Sequence, residues 1–561
     1  MGSEARRLGR LDRFGSLLGA LALTTLLLHF GFPAVRLPPT VMLVWTGLLP
    51  TGLFVESLIR LLIVRDPLAY ARKNALRYVT LLVILLEMSG VAGWRAGLNY
   101  ASPSLVAGQI YLSVFLLAHM GSWARGILLT NRWLSNRKIP VFALPAITFS
   151  AAILAGALLL WMPGMRRESV GFLDSLFTAT SAVCVTGLTV YDVGTVLTPV
   201  GEVVLAALIQ LGGIGTMTVA GLMALWSGER LSNGERAAFS ELIGGERLQD
   251  TRRILAQVVK VVLSFEAGGS IALWLLWRGR IEHPLLQAVF HAISAFCNAG
   301  FSLLPSGLER FSGDAPLLFA VMALIVAGGL GFPVVSELWH AGLSRLVPWK
   351  ESRALSRNAK LVLAATAALL AVGSVGFAID GWASGRPRSP VEALFQSVTT
   401  RTAGFQVESQ LGFGTIGWAM TLLLMAIGAA PQSTGGGLKT SLVARLFLRV
   451  DPPDPAAPAR RFLASPPFRA ALLLAAVYLG IASASGLLIA LVDGASLQDA
   501  LFESFSALGT VGLSRDLTTR LSTFSRSLVI LLMFIGRVLF PTLALNVVRT
   551  RGLSEKAAGW A

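Results

Sequence analysis

Cysteine, histidine and charge are all scarce in this 561-residue chain. Its only thiols are Cys184 and Cys297, too few for a disulfide framework or a cysteine-based zinc site. Five scattered histidines argue equally against a metal-dependent enzyme. A G-x-x-x-x-G-K-[ST] phosphate loop and a dinucleotide fingerprint are also missing, so no bound organic cofactor is expected and any nucleotide control must come from a separate protein. Charged residues make up 14% of the chain, while 54% of it is hydrophobic and the mean hydropathy is +0.69. Those values describe an integral membrane protein embedded in a lipid bilayer. The net charge of +17 would suggest nucleic acid in a soluble protein. Here the excess lies between apolar runs, where cytoplasmic loops collect Lys and Arg, and no nucleic-acid partner is expected. No cleavable signal is expected either, because the first apolar run follows Arg6, Arg7, Arg10 and Arg13 without a small-residue cleavage site.

Roughly 20 apolar residues cross a bilayer as a helix. Runs of that order fall at about 15–33, 39–63, 77–98, 104–128, 139–162, 200–226, 254–277, 315–340, 361–379, 415–447, 470–492 and 527–548. The positive-inside rule supports this count. Basic clusters such as Arg65/Arg72/Lys73, Arg132/Arg137/Lys138, Arg230/Arg236/Arg247, Lys350/Arg353/Arg357 and Arg449/Arg460/Arg461 occupy every second connector. Both termini are therefore expected on the cytoplasmic side of a multi-pass protein of the cell inner membrane, and the Ala-, Leu- and Arg-rich composition fits a bacterial source.

Four outward connectors share a pattern: DSLFTATSAVCVTGL (174–188), QAVFHAISAFCNAGF (287–301), EALFQSVTTRTAGF (392–405) and DALFESFSALGTVGL (499–513). Each opens on a polar residue, has Phe at its fourth position and closes on Gly before Leu or Phe. Helices this short cannot cross the membrane, so each segment dips in and returns. Non-helical backbone at that depth persists only when buried in protein or lining a water-filled cavity. The predicted fold is thus an all-α polytopic membrane protein with four pseudo-repeats of helix, re-entrant pore loop and helix around a central pore, plus about four extra N-terminal transmembrane helices. The boundaries are 1–138 for the extension, then 139–230, 253–345, 358–449 and 469–551 for the repeats. Each short helix would aim its partly negative C-terminal end at the pore and favour a cation. Close helix packing through small residues is the alternative use for these glycines.

Val185-Thr186-Gly187, Asn298-Ala299-Gly300, Thr402-Ala403-Gly404 and Thr510-Val511-Gly512 resemble the four filter loops of the Trk/Ktr/HKT superfamily of potassium transporters. Thr510-Val511-Gly512 also resembles the start of a potassium-channel filter. The resemblance covers about residues 139–551. It implies a channel-like monovalent cation transporter, not an enzyme, whose transported ion is K+, bound at those twelve filter residues. Gly187, where sodium-transporting members carry Ser, implies potassium. The resemblance further implies a homodimer and a cytosolic nucleotide-binding regulatory ring docked on the basic inner loops.

Within 415–447, AIGAAPQSTGGGLKTS (426–441) sets three glycines after a proline, a sequence that does not hold a helix. It resembles the intramembrane loop that obstructs the pore in that family, which gives Gln432, Ser433, Thr434, Gly435, Gly436 and Gly437 a gating role; a hinge without ion contact is the alternative. Lys439 either assists gating or reaches toward the cytoplasmic interface. Arg537 stands among apolar residues in the last span, where insertion costs about 2.5–3.5 kcal/mol. By resemblance it approaches the gate loop; satisfaction by neighbouring carbonyls is the alternative. The sequence around it is GRVLFPTL, where the family pattern is closer to GRVGPLTL. Cys184 and Cys297 are expected as packing residues behind the filter. Gly212-Gly213-Ile214-Gly215 and Gly328-Gly329-Leu330-Gly331 resemble family features that helix packing alone also explains.

The four N-terminal spans show no voltage-sensor spacing of Arg; Glu56, Arg60 and Glu87 are candidates for pairing there. Rival readings are the potassium-translocating subunit of an ATP-driven pump, a sodium-coupled or less selective cation transporter, a membrane-embedded enzyme and a non-conducting sensor.

Overall fold

The computed structural model describes residues 143–228, 251–346, 355–440 and 466–539, with scattered positions before residue 71. The expected N-terminal spans, Glu56 and Glu87 among them, and most of the basic inner connectors lie outside the described residues; Arg60 is described and buried. Internal contacts divide the chain into two units. One comprises 1–139, 162–169 and 198–203, and within it Thr198 ties the two later stretches together, its N–H on Met165 O at 3.0 Å and its hydroxyl on Gly164 O at 2.9 Å. The other unit comprises 140–161, 170–197 and 204–561.

That unit is helical; among the described residues its extended pairing is the isolated bridge between Ile427 and Leu438. One order recurs along it. Long α1 (Ala143–Trp161), short α2 (Phe172–Val183) and α3 (Pro199–Gly228) come first. Long α4 (Thr251–Trp277), short α5 (Pro284–Phe296) and the bent pair α6 (Ala315–Gly329) and α7 (Phe332–Leu346) follow. Next are α8 (Arg357–Ala383), short α9 (Pro390–Thr399) and α10 (Thr415–Ala426). The last are α11 (Pro466–Asp493), short α12 (Leu497–Gly509) and α13 (Thr523–Phe534), which runs into a π-turn at Ile535–Leu539.

Length separates the two kinds of helix. Apolar stretches of α4, α8 and α11 suffice to cross a membrane, and they leave Leu263, Ile271, Val375, Ile379, Leu487 and Leu491 exposed, as a lipid-facing surface requires. The short helices have 10 to 13 residues. At 1.5 Å per residue they extend roughly 15–20 Å, well under the ~30 Å hydrocarbon core. Their starts are written in the sequence. Ser389 and Glu392 form a capping box with Pro390 in the first turn of α9, and the Ser496 hydroxyl accepts the Asp499 N–H to begin α12. The recurring Phe177, Phe290, Phe395 and Phe502 are all buried, and each short helix packs chiefly on the long helix before it. Packing then passes around the assembly, α6 against α9, α10 against α12 and α13 against α2. An Arg526–Asp174 ion pair at 2.6 Å joins α13 to α2.

One expected span is corrected. The run 315–340 is not one straight helix, because α6 and α7 meet at 113°. Gly331 has φ +82° there, and the freed backbone groups are taken up by residues 430–434: Ala430 N–H on Gly329 O, Thr434 N–H on Gly328 O and Phe332 N–H on Gln432 O, at 3.0–3.3 Å. The run 415–447 breaks where Pro431 and the three glycines predict an interruption: it is helical to Ala426 and unwound from there to Lys439, and 441–447 lie outside the described residues.

Candidate functional site

The four closing tripeptides meet in a ring. A Cβ placed on Gly187 would come within 3.0 Å of Ala299 O, one on Gly300 within that distance of Ala403 O, one on Gly404 of Val511 O, and one on Gly512 of Thr186 O. Each glycine thus faces the middle carbonyl of the next loop, and the fourth closes on the first. Backbone angles agree in all four loops. Val185, Asn298, Thr402 and Thr510 are left-handed, with φ between +49° and +74°, the middle residues are not, and the glycines return to φ +68° to +96°. Alternating handedness turns successive carbonyls to one side, which is how a backbone lines an ion path with oxygen.

One further residue per loop, which the sequence pattern alone does not single out, holds this shape. Ser181, Ser294, Thr399 and Ser506 each accept the N–H of the middle residue on their carbonyl, at 2.7–3.0 Å. Their hydroxyls reach across the loop as well. Ser181 and Ser506 accept the N–H of Gly187 and Gly512 at 3.0 and 3.1 Å, while Ser294 and Thr399 donate to Phe301 O and Phe405 O at 2.8 and 2.7 Å. A hydroxyl residue at one register in all four quoted segments was the available signal.

The glycine-rich second helices have a backbone reason. A Cβ on Gly212, Gly328 or Gly536 would run into the carbonyl of Val183, Phe296 or Leu508, each four residues before a ring glycine. In the third unit Gly428 holds the corresponding place, and what it touches is Gly436 O, in the unwound segment. That segment sits against the start of the loops. Gly435 packs on the Thr402 hydroxyl and Gly436 on the Thr510 hydroxyl, and neither leaves room for a side chain. Thr434 Oγ1 donates to Phe296 O at 3.2 Å and lies 3.3 Å from the Asn298 amide. Ser433 Oγ donates to Ala430 O at 2.6 Å. Gln432 and Gly437 take φ +55° and +67° at the segment's turns. The hydroxyls of Thr186, Thr402 and Thr510 are buried with no protein partner.

Two cations hold the segment. Arg537, buried in the π-turn, donates Nη1 to Thr434 O and Nη2 to Gly212 O at 3.3 Å. Lys439 Nζ turns back to Gly435 O at 2.8 Å. The structure also gathers residues that the sequence does not connect. Gln210 Nε2 donates to Glu266 Oε2 at 3.1 Å, with Cys297 Sγ 3.9 Å from Glu266 Oε1, so that thiol is part of a polar cluster and not only packing. Cys184 is buried. His291 is a core residue, edge-on to Trp277 and bonded to Gln287 O and Ser302 Oγ at 2.8 Å. No group of His, Cys, Asp and Glu among the described residues could hold a metal. Arg388, in an outer connector, is buried between Asp380 at 3.1 Å and Glu408 at 2.6 Å, over the Phe413 ring.

Short helices around a carbonyl ring, with unwound backbone against its entrance, define a membrane protein for moving ions. The TrkH family model, described as "Cation transport protein", matches residues 142–379 and 387–551, and the chain belongs to that family. Among curated proteins it is 34% identical to the Ktr system potassium uptake protein B of Vibrio alginolyticus, over 72% of this chain and 90% of that one. It is 33% identical to the protein of the same name from Bacillus subtilis, over 70% and 89%. To the potassium/sodium uptake protein NtpJ of Enterococcus hirae it is 31% identical, over 73% and 94%. The crystal structure of the potassium transporter TrkH from Vibrio parahaemolyticus shares the fold, with a TM-score of 0.54 at 18% identity over 84% of this chain and 97% of that one. These relatives are ion transporters, not enzymes.

Proposed function

We propose that the chain conducts potassium through the cell membrane along a pseudo-fourfold pore whose filter is the carbonyl ring at Gly187, Gly300, Gly404 and Gly512. The single observation that carries this reading is the closure of four loops, each with left-handed backbone at the same two positions, into one ring of glycines facing carbonyls. A cation entering the ring exchanges its hydration shell for carbonyl oxygens, and the C-terminal ends of α2, α5, α9 and α12 add negative potential from four sides. Glycine in every loop and the potassium uptake carried in the names of the Ktr relatives support K+ as the ion.

The unwound segment is the gate. In the structure described, Gly435 and Gly436 abut the threonine hydroxyls at the filter's start, so passage requires the segment to withdraw. Arg537 is its latch: one charge-assisted hydrogen bond to Thr434 O is worth about 1.5–3 kcal/mol, within the range a regulator can override. Its charge beside the pathway also opposes cations while the latch is closed. A homodimer and a cytosolic nucleotide-binding ring acting through the inner loops complete the reading; those loops lie largely outside the described residues.

The test is cation uptake into liposomes holding the purified chain, driven by equal potassium and sodium gradients, with Gly512→Ser alongside. Strain at φ +95° plus the clash with Thr186 O predicts about a hundredfold loss of potassium flux and of its preference over sodium. Equal flux of both ions through intact wild type refutes potassium selectivity, and flux that requires ATP and a copurifying ATPase favours the pump subunit.

A further inference from the structure

The residue just before each filter tripeptide differs in one unit. It is Cys184, Cys297 and Gly509 in three, and Arg401 in the third. Arg401 is 7% exposed. Among the described residues it has no carboxylate partner, and its Nε has no acceptor. Its Nη2 instead donates to Gly428 O at 3.3 Å and to Thr440 Oγ1 at 3.1 Å. Thr440 Oγ1 in turn donates to the same Gly428 O at 2.8 Å, and the Thr440 N–H to Ala429 O at 3.2 Å. Gly428 is where the unwound segment leaves α10, and Thr440 is where it ends. One guanidinium therefore closes a three-membered hydrogen-bond ring across both ends of the segment, from the position next to Thr402.

We propose that Arg401 is a positioning residue, a clasp that pins both ends of the gate segment to the third filter loop while its middle moves. The proposal rests on the gating reading above. Physical costs separate the two arginines. Arg537 grips the middle of the segment at Thr434, and that bond has to break for withdrawal. Arg401 has only these backbone and hydroxyl acceptors, so releasing it would strand a buried charge, which is strongly disfavoured. The clasp persists through opening and the segment swings about a fixed base. Beside it lies a cavity of about 20 Å³ bordered by Arg401, Asn298, Thr366, Gly329 and Ala429, room for one water or for the base to shift slightly. Because Arg401 adjoins Thr402, strain on the base reaches the filter directly, and gating and selectivity are coupled through this residue. In the other three units that position holds a thiol or no side chain.

The experiment is potassium and sodium flux through the full-length chain in liposomes, for wild type, Thr440→Val, Thr440→Ser, Arg401→Gln, the Thr440→Val/Arg401→Gln pair and Arg537→Ala. Thr440→Val keeps shape and folding while removing the hydroxyl that closes the clasp. The expected result is basal potassium flux raised about three- to tenfold in Thr440→Val and in Arg401→Gln, with a reduced preference over sodium. The pair should show no more effect than the larger single change, and Thr440→Ser should match wild type. Wild-type flux and selectivity in Thr440→Val, or an additive pair, overturns the clasp, and Thr440→Val decides the matter if Arg401→Gln fails to fold. Arg537→Ala separates the two levels: if it leaves flux unchanged the gate itself is refuted, whereas raised flux there with an inert Thr440→Val removes only the clasp.

Discussion

The third helix–loop unit shares the backbone angles and hydroxyl anchor of the other three but departs from them at three points. Its loop is one residue shorter between Phe and Gly, its residue before the filter is a charged Arg401, and its second helix stops at Ala426. In the other three, a glycine lets the second helix lie directly on the carbonyls that end the short helix. In the third, the corresponding Gly428 lies on Gly436 instead, so a loop takes the place of a helix face. The other three units pack by backbone contact there, and the third trades that contact for a segment held by side chains. The departure from symmetry coincides with the segment proposed above as the gate.

That contrast can be broken at several strengths. The largest effect is expected from Asp380→Ala. It strips Arg388 of one carboxylate and leaves the Gly414 and Gly417 N–H groups, now bonded to Asp380 at 3.1 and 2.8 Å, without an acceptor. A loss of about 3–5 kcal/mol in unfolding free energy is expected, read by thermal denaturation in detergent. If the third unit needs no firm outer anchor, the change will be small. Next comes a pair of glycines at one register. Gly536→Ala should cost about 3 kcal/mol, because it meets Leu508 O in fixed helix backbone, whereas Gly428→Ala should leave the melting temperature near wild type and raise basal potassium flux by displacing Gly436. Equal melting shifts and unchanged flux would erase the distinction between backbone contact and segment.

Smaller still is the hydroxyl anchor. Ser506→Ala removes the acceptor for Gly512 N–H, at about 1 kcal/mol, and should lower potassium preference without opening the gate. Thr399→Val, which removes a donor to Phe405 O, should do the same if the third loop is built like the rest. The smallest effect concerns Glu309 in an outer connector. Burial, with Asp516 and Glu408 nearby, raises its pKa above the ordinary 4.5, so the folded state binds its proton more tightly than the unfolded chain. The resulting stability is complete below about pH 4.5 and fades as pH rises through the raised value. Glu309→Gln should therefore melt slightly higher than wild type at pH 8 and equally at pH 4. A constant difference across pH would remove the electrostatic explanation.

Much of this was legible in the residues alone. Short apolar segments ending on Gly, repeated in register, read directly as re-entrant helices, and Pro followed by three glycines read as unwound backbone. What stayed hidden depends on who meets whom. A buried hydroxyl such as Ser506 looks like any other small residue until the loop folds back on it. Arg388 reads as a surface charge until Asp380 and Glu408 enclose it. The bend at Gly331 could not be read from α6 and α7, since their combined run is apolar enough to span and the partners that satisfy the broken helix lie at 430–434, about 100 residues away. Arg401 was visible as a letter in the third loop, but its partners Gly428 and Thr440 are brought to it only by the unwound segment.

The order in which the ring closes has a consequence for biosynthesis. Gly187 rests on the second loop, Gly300 on the third, Gly404 on the fourth, and only Gly512 returns to the first, reinforced by the Arg526–Asp174 pair. A nascent chain inserted as far as its third hairpin has an open arc with no fourth wall, and its short helices lack the neighbours that bury them. Translation must run past residue 526 before the lock on the first loop can form, so a membrane filled with prematurely terminated chains would hold incomplete arcs and no closed ring.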